Sequence, residues 1–142
     1  RNTYLDAPRL LDRFSRSRIQ PHLFFAGQIT GVEGYIESTA SGLVVGIMAG
    51  LLAAGMTPEP PPAITAVGGL MRHTRGTGAL KYEPMNVNFG LMDPPPPGTK
   101  KSQKKEILAA RAREGVRTWI ALMDELWRLR LGVWGQESRL SS

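Results

Sequence analysis

FFAGQITGVEGYIESTASG, residues 24–42, passes from a short apolar run through closely spaced glycines into a helical pattern. The run Leu23–Ala26, closed by Gly27, reads as a buried strand. From about Gly34 the apolar spacing predicts a helix to Ala54. Between them, Thr30-Gly-Val-Glu33 matches the S/T-x-x-E capping box. It predicts that the Thr30 hydroxyl accepts from the Glu33 N–H, that Glu33 reaches back to Thr30, and that the helix starts near Gly31. Strand, glycine turn and helix start, in that order, predict an α/β fold with a ligand beyond the strand's carboxyl end. Unpaired N–H groups and the helix dipole there favour an anion or an electron-rich oxygen. No G-x-G-x-x-G follows a strand, so the stretch reads as one half of a cofactor site.

Inside the predicted helix, Gly42, Gly46 and Gly50 fall on one face. Each mid-helix glycine costs about 1 kcal/mol against alanine, which predicts another backbone packed closely on that face. GLVVGIMAGLLAAGM, residues 42–56, is apolar but shorter than a membrane-spanning helix, so it reads as a buried core helix. MTPEPPPAI, residues 56–64, is a proline-rich connector, followed by a short helix near Thr65–Arg75. LKYEPMNVNFGLMDPPPP is extended, with a stiff run at Pro94–Pro97. A last helix is expected over about Ser102–Arg130, with Leu108, Ala112, Val116, Trp119, Ile120, Met123 and Trp127 as its apolar stripe. Arg113, Arg117, Asp124 and Arg128 lie largely opposite, and GQESRLSS at the end reads as a frayed tail. The first residues, polar and arginine-rich, read as extended with a helical turn near Arg9–Phe14, without the apolar core of a secretory leader.

The chain has 142 residues, enough for one modest domain. It has no cysteine, which excludes disulfides, thiolate metal sites and cysteine nucleophiles within it. That fits a reducing compartment. The net charge of +6 is consistent with a polyanionic partner such as RNA or with a solvated basic surface.

The stretch LFFAGQITGVEGYIESTASGLVVGIMAG, residues 23–50, resembles the C-terminal flavin-contacting segment of the folate- and FAD-dependent tRNA (uracil-5-)-methyltransferases. PMNVNFGLM, residues 84–92, and RNTYLDAPRLLD, residues 1–12, are similar to two further stretches of that family. The related wobble-uridine carboxymethylaminomethyl flavoproteins share AGQI-x-G-x-x-GY. The resemblance implies the C-terminal part of a Rossmann-like FAD-binding fold. Residues 1–56 would finish the FAD domain and 57–142 would form a mostly helical extension. It also implies a cytoplasmic enzyme that uses FAD, 5,10-methylenetetrahydrofolate and NAD(P)H to methylate C5 of a T-loop uridine in tRNA. The family's nucleotide-binding glycine loop and working cysteines lie in its N-terminal part and have no counterpart here. This chain alone is therefore expected to be inactive, with that N-terminal part and tRNA as its partners.

The resemblance assigns Gly27, Gln28, Gly31, Val32, Glu33, Gly34 and Tyr35 to the cofactor, with Gln28 alternatively a turn residue facing water. Tyr35, Asn86 and Asn88 become candidates for the folate pocket. Tyr35 is otherwise a packed aromatic, and the two asparagines otherwise satisfy their own loop. Lys101, Lys104, Lys105, Arg113 and Arg117 form a candidate phosphate-contacting face or a solubilising one. His22 and His73 stand alone and read as structural, and no metal site is expected.

Overall fold

A computed structural model describes residues 3–76 and 81–140. Arg1 and Asn2 of the first stretch, Leu80 of the LKYEP segment, and Ser141 and Ser142 of the tail lie outside it. The helices are α1 (Ala7–Leu10), α2 (Tyr35–Ala53), α3 (Ala66–Thr74) and α4 (Lys104–Leu140), with 3-10 turns at Gly27–Thr30 and Phe89–Leu91.

The buried strand is not found. Among the described residues there are only isolated bridges, pairing Leu11 with Ser17, Arg16 with Phe24, and, in parallel, Val32 with Met85. Residues 23–26 are extended, but their pairing is confined to one short loop. Ser17 N–H donates to Leu23 O at 2.8 Å and Phe25 N–H to Ser15 O at 2.9 Å. A strand is a ladder between neighbours, and an extended run without successive rungs is not one. The α/β, Rossmann-like architecture expected from the glycine turn is thus not confirmed in this segment, which is mostly helical.

Helix α2 starts after Gly34, whose φ of +97° only glycine adopts comfortably. It ends in a Schellman turn, with Gly55 N–H on Leu52 O at 3.0 Å and Met56 N–H on Leu51 O at 2.9 Å. Its inner face buries Ser41, Val44, Val45, Met48 and Leu51. Of these, Val44, Val45, Met48 and Leu51 pack with Phe14, Met71, Trp119 and Met123 into one core. Residues on both sides of position 56 therefore share a single hydrophobic cluster.

The outer face of α2 is uncovered. Tyr35 is 95% exposed, Ile36 83% and Leu43 66%. By length and composition α2 could cross a membrane, and only 28% of its apolar window is buried. The fully buried helix expected from residues 42–56 is thus a half-covered one. The close backbone packing expected at its glycines is also absent. A side chain at Gly42 or Gly46 would meet nothing within 4 Å, and one at Gly50 would meet only the Trp127 ring, 3.1 Å away. That packing occurs instead in α3, where a Cβ on Gly68 or Gly69 would collide with the Pro62 or Leu91 carbonyl.

Helix α3 is capped by Thr65. Thr65 Oγ1 accepts from Gly68 N–H at 3.0 Å and donates to Pro62 O at 2.7 Å. Helix α4 runs ten residues past its expected end at Arg130, to Leu140. No proline interrupts residues 104–140, and the tail read as frayed continues the helix as far as Leu140. Ile120, placed in the apolar stripe, is 54% exposed. The others face inward to varying degrees, because the core contacts only one narrow side of so long a helix. Two hydrogen bonds fasten α4 to proline-rich chain: Trp119 Nε1 to Glu59 O and Arg111 Nη1 to Pro94 O, both 2.7 Å.

Candidate functional site

The turn Gly27–Thr30 is held against α2. Gly27 N–H donates to Ser41 Oγ at 3.2 Å, and Thr30 Oγ1 donates to Gly27 O at 2.7 Å. The capping box is therefore not formed. The Thr30 hydroxyl is committed backwards, and Glu33 N–H donates across the chain to Met85 O at 3.1 Å. Four residues separate Thr30 from the true helix start at Tyr35, too many for the reciprocal bonds of a box. Glu37 sits at that start instead, and a Cβ on Gly34 would collide with its carboxylate. A negative charge there suits the helix dipole.

Met85 N–H also donates to Gly31 O, at 2.9 Å. This single rung sets PMNVN beside GVEGY. A cleft of about 380 Å³ results, lined by Gln28, Glu33, Gly34, Tyr35, Ser38 and Asn86. Most residues singled out in the two separate stretches thus meet in one place. Gln28, Glu33, Gly34, Tyr35 and Asn86 are exposed to solvent.

The other candidates lie elsewhere. Val32 is buried, at 1% exposure. Gly27 and Gly31 are also buried, and in the direction a side chain would take they meet Ser38 and Tyr82 of this chain. Their positive φ values, +69° and +82°, shape the turn. Asn88 is not in the cleft lining. Its side chain accepts from Gly90 N–H at 2.9 Å and donates to Asn86 O at 3.2 Å.

Sequence reasoning missed Tyr82. Its hydroxyl donates to the Thr30 carbonyl, and its ring meets Tyr4 edge-on and His73 at a tilt. Burial pushes its pKa up to about 12, with the Tyr4 and Asp6 charges adding to the effect. No spacing rule links positions 52 residues apart, so nothing in the sequence pointed to it. His73 Nε2 lies 2.8 Å from Glu83 O, while His22 is exposed.

Lys101, Lys104 and Lys105 are exposed at the start of α4. Arg113 and Arg117 are exposed further along, about 14 Å and more from Lys104 at 1.5 Å per residue. At about 100° per residue Arg113 lies about 180° round the helix from Lys104 but only about 80° from Lys105. The basic residues are therefore spread along the helix and not gathered at its start. Among the described residues no group of three or more histidine and acidic side chains could hold a metal ion.

The cleft presents hydrogen-bonding groups to a polar planar ligand. Exposed amides of Gln28 and Asn86 both donate and accept, Glu33 accepts, and the α2 start offers N–H groups. Its volume lies at the lower end of the range of small-molecule sites.

Residues 1–57 match the family model described as Glucose inhibited division protein A. Several curated relatives carry the name methylenetetrahydrofolate–tRNA-(uracil-5-)-methyltransferase TrmFO. The one from Geobacter sp. (strain M21) is 47% identical over 120 residues, 84% of this chain and 28% of the relative. That from Paramagnetospirillum magneticum is 44% identical over 132 residues, 88% of this chain and 30% of the relative. That from Paracoccus denitrificans is 48% identical over 126 residues, 85% and 28%. The chain spans less than a third of the length of these relatives. This chain is accordingly a homologue of part of the methylenetetrahydrofolate–tRNA-(uracil-5-)-methyltransferase family, consistent with a C-terminal segment of it.

Proposed function

We propose that this chain forms one wall of the flavin and folate site in an enzyme that methylates C5 of a T-loop uridine in tRNA. The observation that carries the reading is the Val32–Met85 bridge. It joins the two stretches of family resemblance around one cleft, with Gln28, Glu33, Gly34, Tyr35 and Asn86 on its walls. Gln28 and the N–H groups at the α2 start hold the polar edge of the flavin, and Gly27, Gly31 and Val32 shape the backbone behind them. Tyr35 stacks on a ring, and Asn86 and Glu33 bind the pterin of 5,10-methylenetetrahydrofolate. Asn88 acts at one remove by fixing the loop after Asn86. FAD, reduced by NAD(P)H, supplies the electrons that turn the transferred methylene into a methyl group. The nucleophile and the other wall belong to the remaining length of the relatives, which packs on the outer face of α2 beyond its first turn, around Leu43. Lys101, Lys104 and Lys105, exposed at the start of α4, lie on the tRNA side. The enzyme works in the cytoplasm.

The test is a chimera in which this chain replaces the aligned segment of the Geobacter relative. Purified with FAD, it is given methylenetetrahydrofolate, NADPH and unmodified tRNA, and 5-methyluridine is measured at the T-loop. Methylation is expected, with a loss of about tenfold or more in Asn86→Ala. A folded, flavin-loaded chimera that leaves the T-loop unmethylated rejects the reading. Modification at the wobble position would assign the chain to the other flavoprotein family.

A further inference from the structure

A second cavity lies between α2, α3 and α4. It has a volume of about 640 Å³ and is separate from the cleft, although both touch the first turn of α2. Neighbouring residues divide between them, with Tyr35 and Asn86 lining the cleft and Ile36 and Val87 lining this cavity. Its walls are almost wholly apolar, including Ala40, Leu70, Val87 and Val116. Such a volume with such walls is typical of small-molecule sites.

The charged groups at its edge are uneven. Arg113 and Arg117, one helical turn apart on α4, both border it, against one carboxylate, Glu37. The Glu37 carboxylate is turned towards Gly34 at the helix start. Arg113 is exposed and makes no ion pair among the described residues, while Arg117 reaches only the equally exposed Glu114, at 4.0 Å. Two guanidinium groups with spare donors beside an apolar cavity are complementary to a carboxylate carried on an apolar body.

We propose that the cavity between α2, α3 and α4 is a binding site for a small amphiphilic carboxylate, whose apolar body lies against Leu70, Val87 and Val116 and whose carboxylate pairs with Arg113 and Arg117. The apolar contacts supply affinity and the arginines select for the acid. Nothing in the site depends on the flavin and folate reading.

The test uses the polypeptide as its source cell makes it, with 2-naphthoate and its uncharged analogue 2-naphthamide as probes in calorimetric titration. Naphthoate is expected to bind about tenfold more tightly than naphthamide, a charged hydrogen bond being about twice as strong as a neutral one. Arg113→Gln/Arg117→Gln should bring naphthoate to the affinity of naphthamide, and Arg113→Lys/Arg117→Lys should keep part of the preference. Val116→Trp, or Ala40→Phe if the first does not fold, should abolish both. Equal affinities in the native protein, no binding of either probe, an undiminished preference in the glutamine variant, or undiminished binding to a folded, filled variant would each overturn the proposal.

Discussion

Gly31 turns the chain between the Gly27–Thr30 turn and the bridge to Met85, with φ at +82° and the Tyr82 hydroxyl where a Cβ would go. Gly31→Ala adds backbone strain to that collision, so a loss of about 2 kcal/mol is expected in a denaturant titration. Tyr82→Phe removes one hydrogen bond from the Thr30 carbonyl and should cost about 1 kcal/mol. The same phenol carries a pH signature. Its folded pKa is about 12, above the ordinary 10 of an unfolded tyrosine. The folded state therefore retains a proton that the unfolded state releases. The resulting stability is complete below pH 10 and is lost as pH rises towards 12. Absorbance at 295 nm should show one late-titrating tyrosine that disappears in Tyr82→Phe.

At the scale of the element, α2, α3 and α4 were legible because apolar spacing is a local property. Thr65 caps α3, a signal its residue type carries but that was not drawn from the sequence. The strand was not legible, since it depends on neighbours that residues 23–26 do not find here. The box at Thr30–Glu33 matched a pattern whose residues are all committed to other partners. Nor did spacing tell which glycines are crowded, because Gly68 and Gly69 meet carbonyls brought in by the connector and by the loop at Leu91. Of the cleft, residues 28–35 were readable as a helix start, whereas the adjacency of Asn86 came only from the resemblance. The open surroundings of Gly42 and Gly46 give a test. Gly42→Ala and Gly46→Ala should each stabilise the isolated chain by about 0.5–1 kcal/mol, measured by thermal melting. In the chimera the same changes should weaken activity if the rest of the enzyme packs on that face. For α4, replacing Lys101, Lys104 and Lys105 by glutamine should lower the slope of log affinity for tRNA against log salt by about two units. An unchanged slope would place the RNA elsewhere.

Across the whole molecule, one core joins the turn at Phe14 to α2, α3 and α4, and Met48 lies at its centre with no exposed surface. Met48→Ala should cost about 3 kcal/mol and shift the whole unfolding transition. The cleft is less firmly secured. Its two sides are joined at the Val32–Met85 bridge by the amide protons of Glu33 and Met85. Those protons form a natural clock. In deuterated water they should exchange together, well ahead of the amide of Met48, because parting one rung exposes far less surface than unfolding the core. A ligand spanning the cleft should slow both by the same factor, so two neighbouring peptides in a mass spectrum would report occupancy without any assay of chemistry.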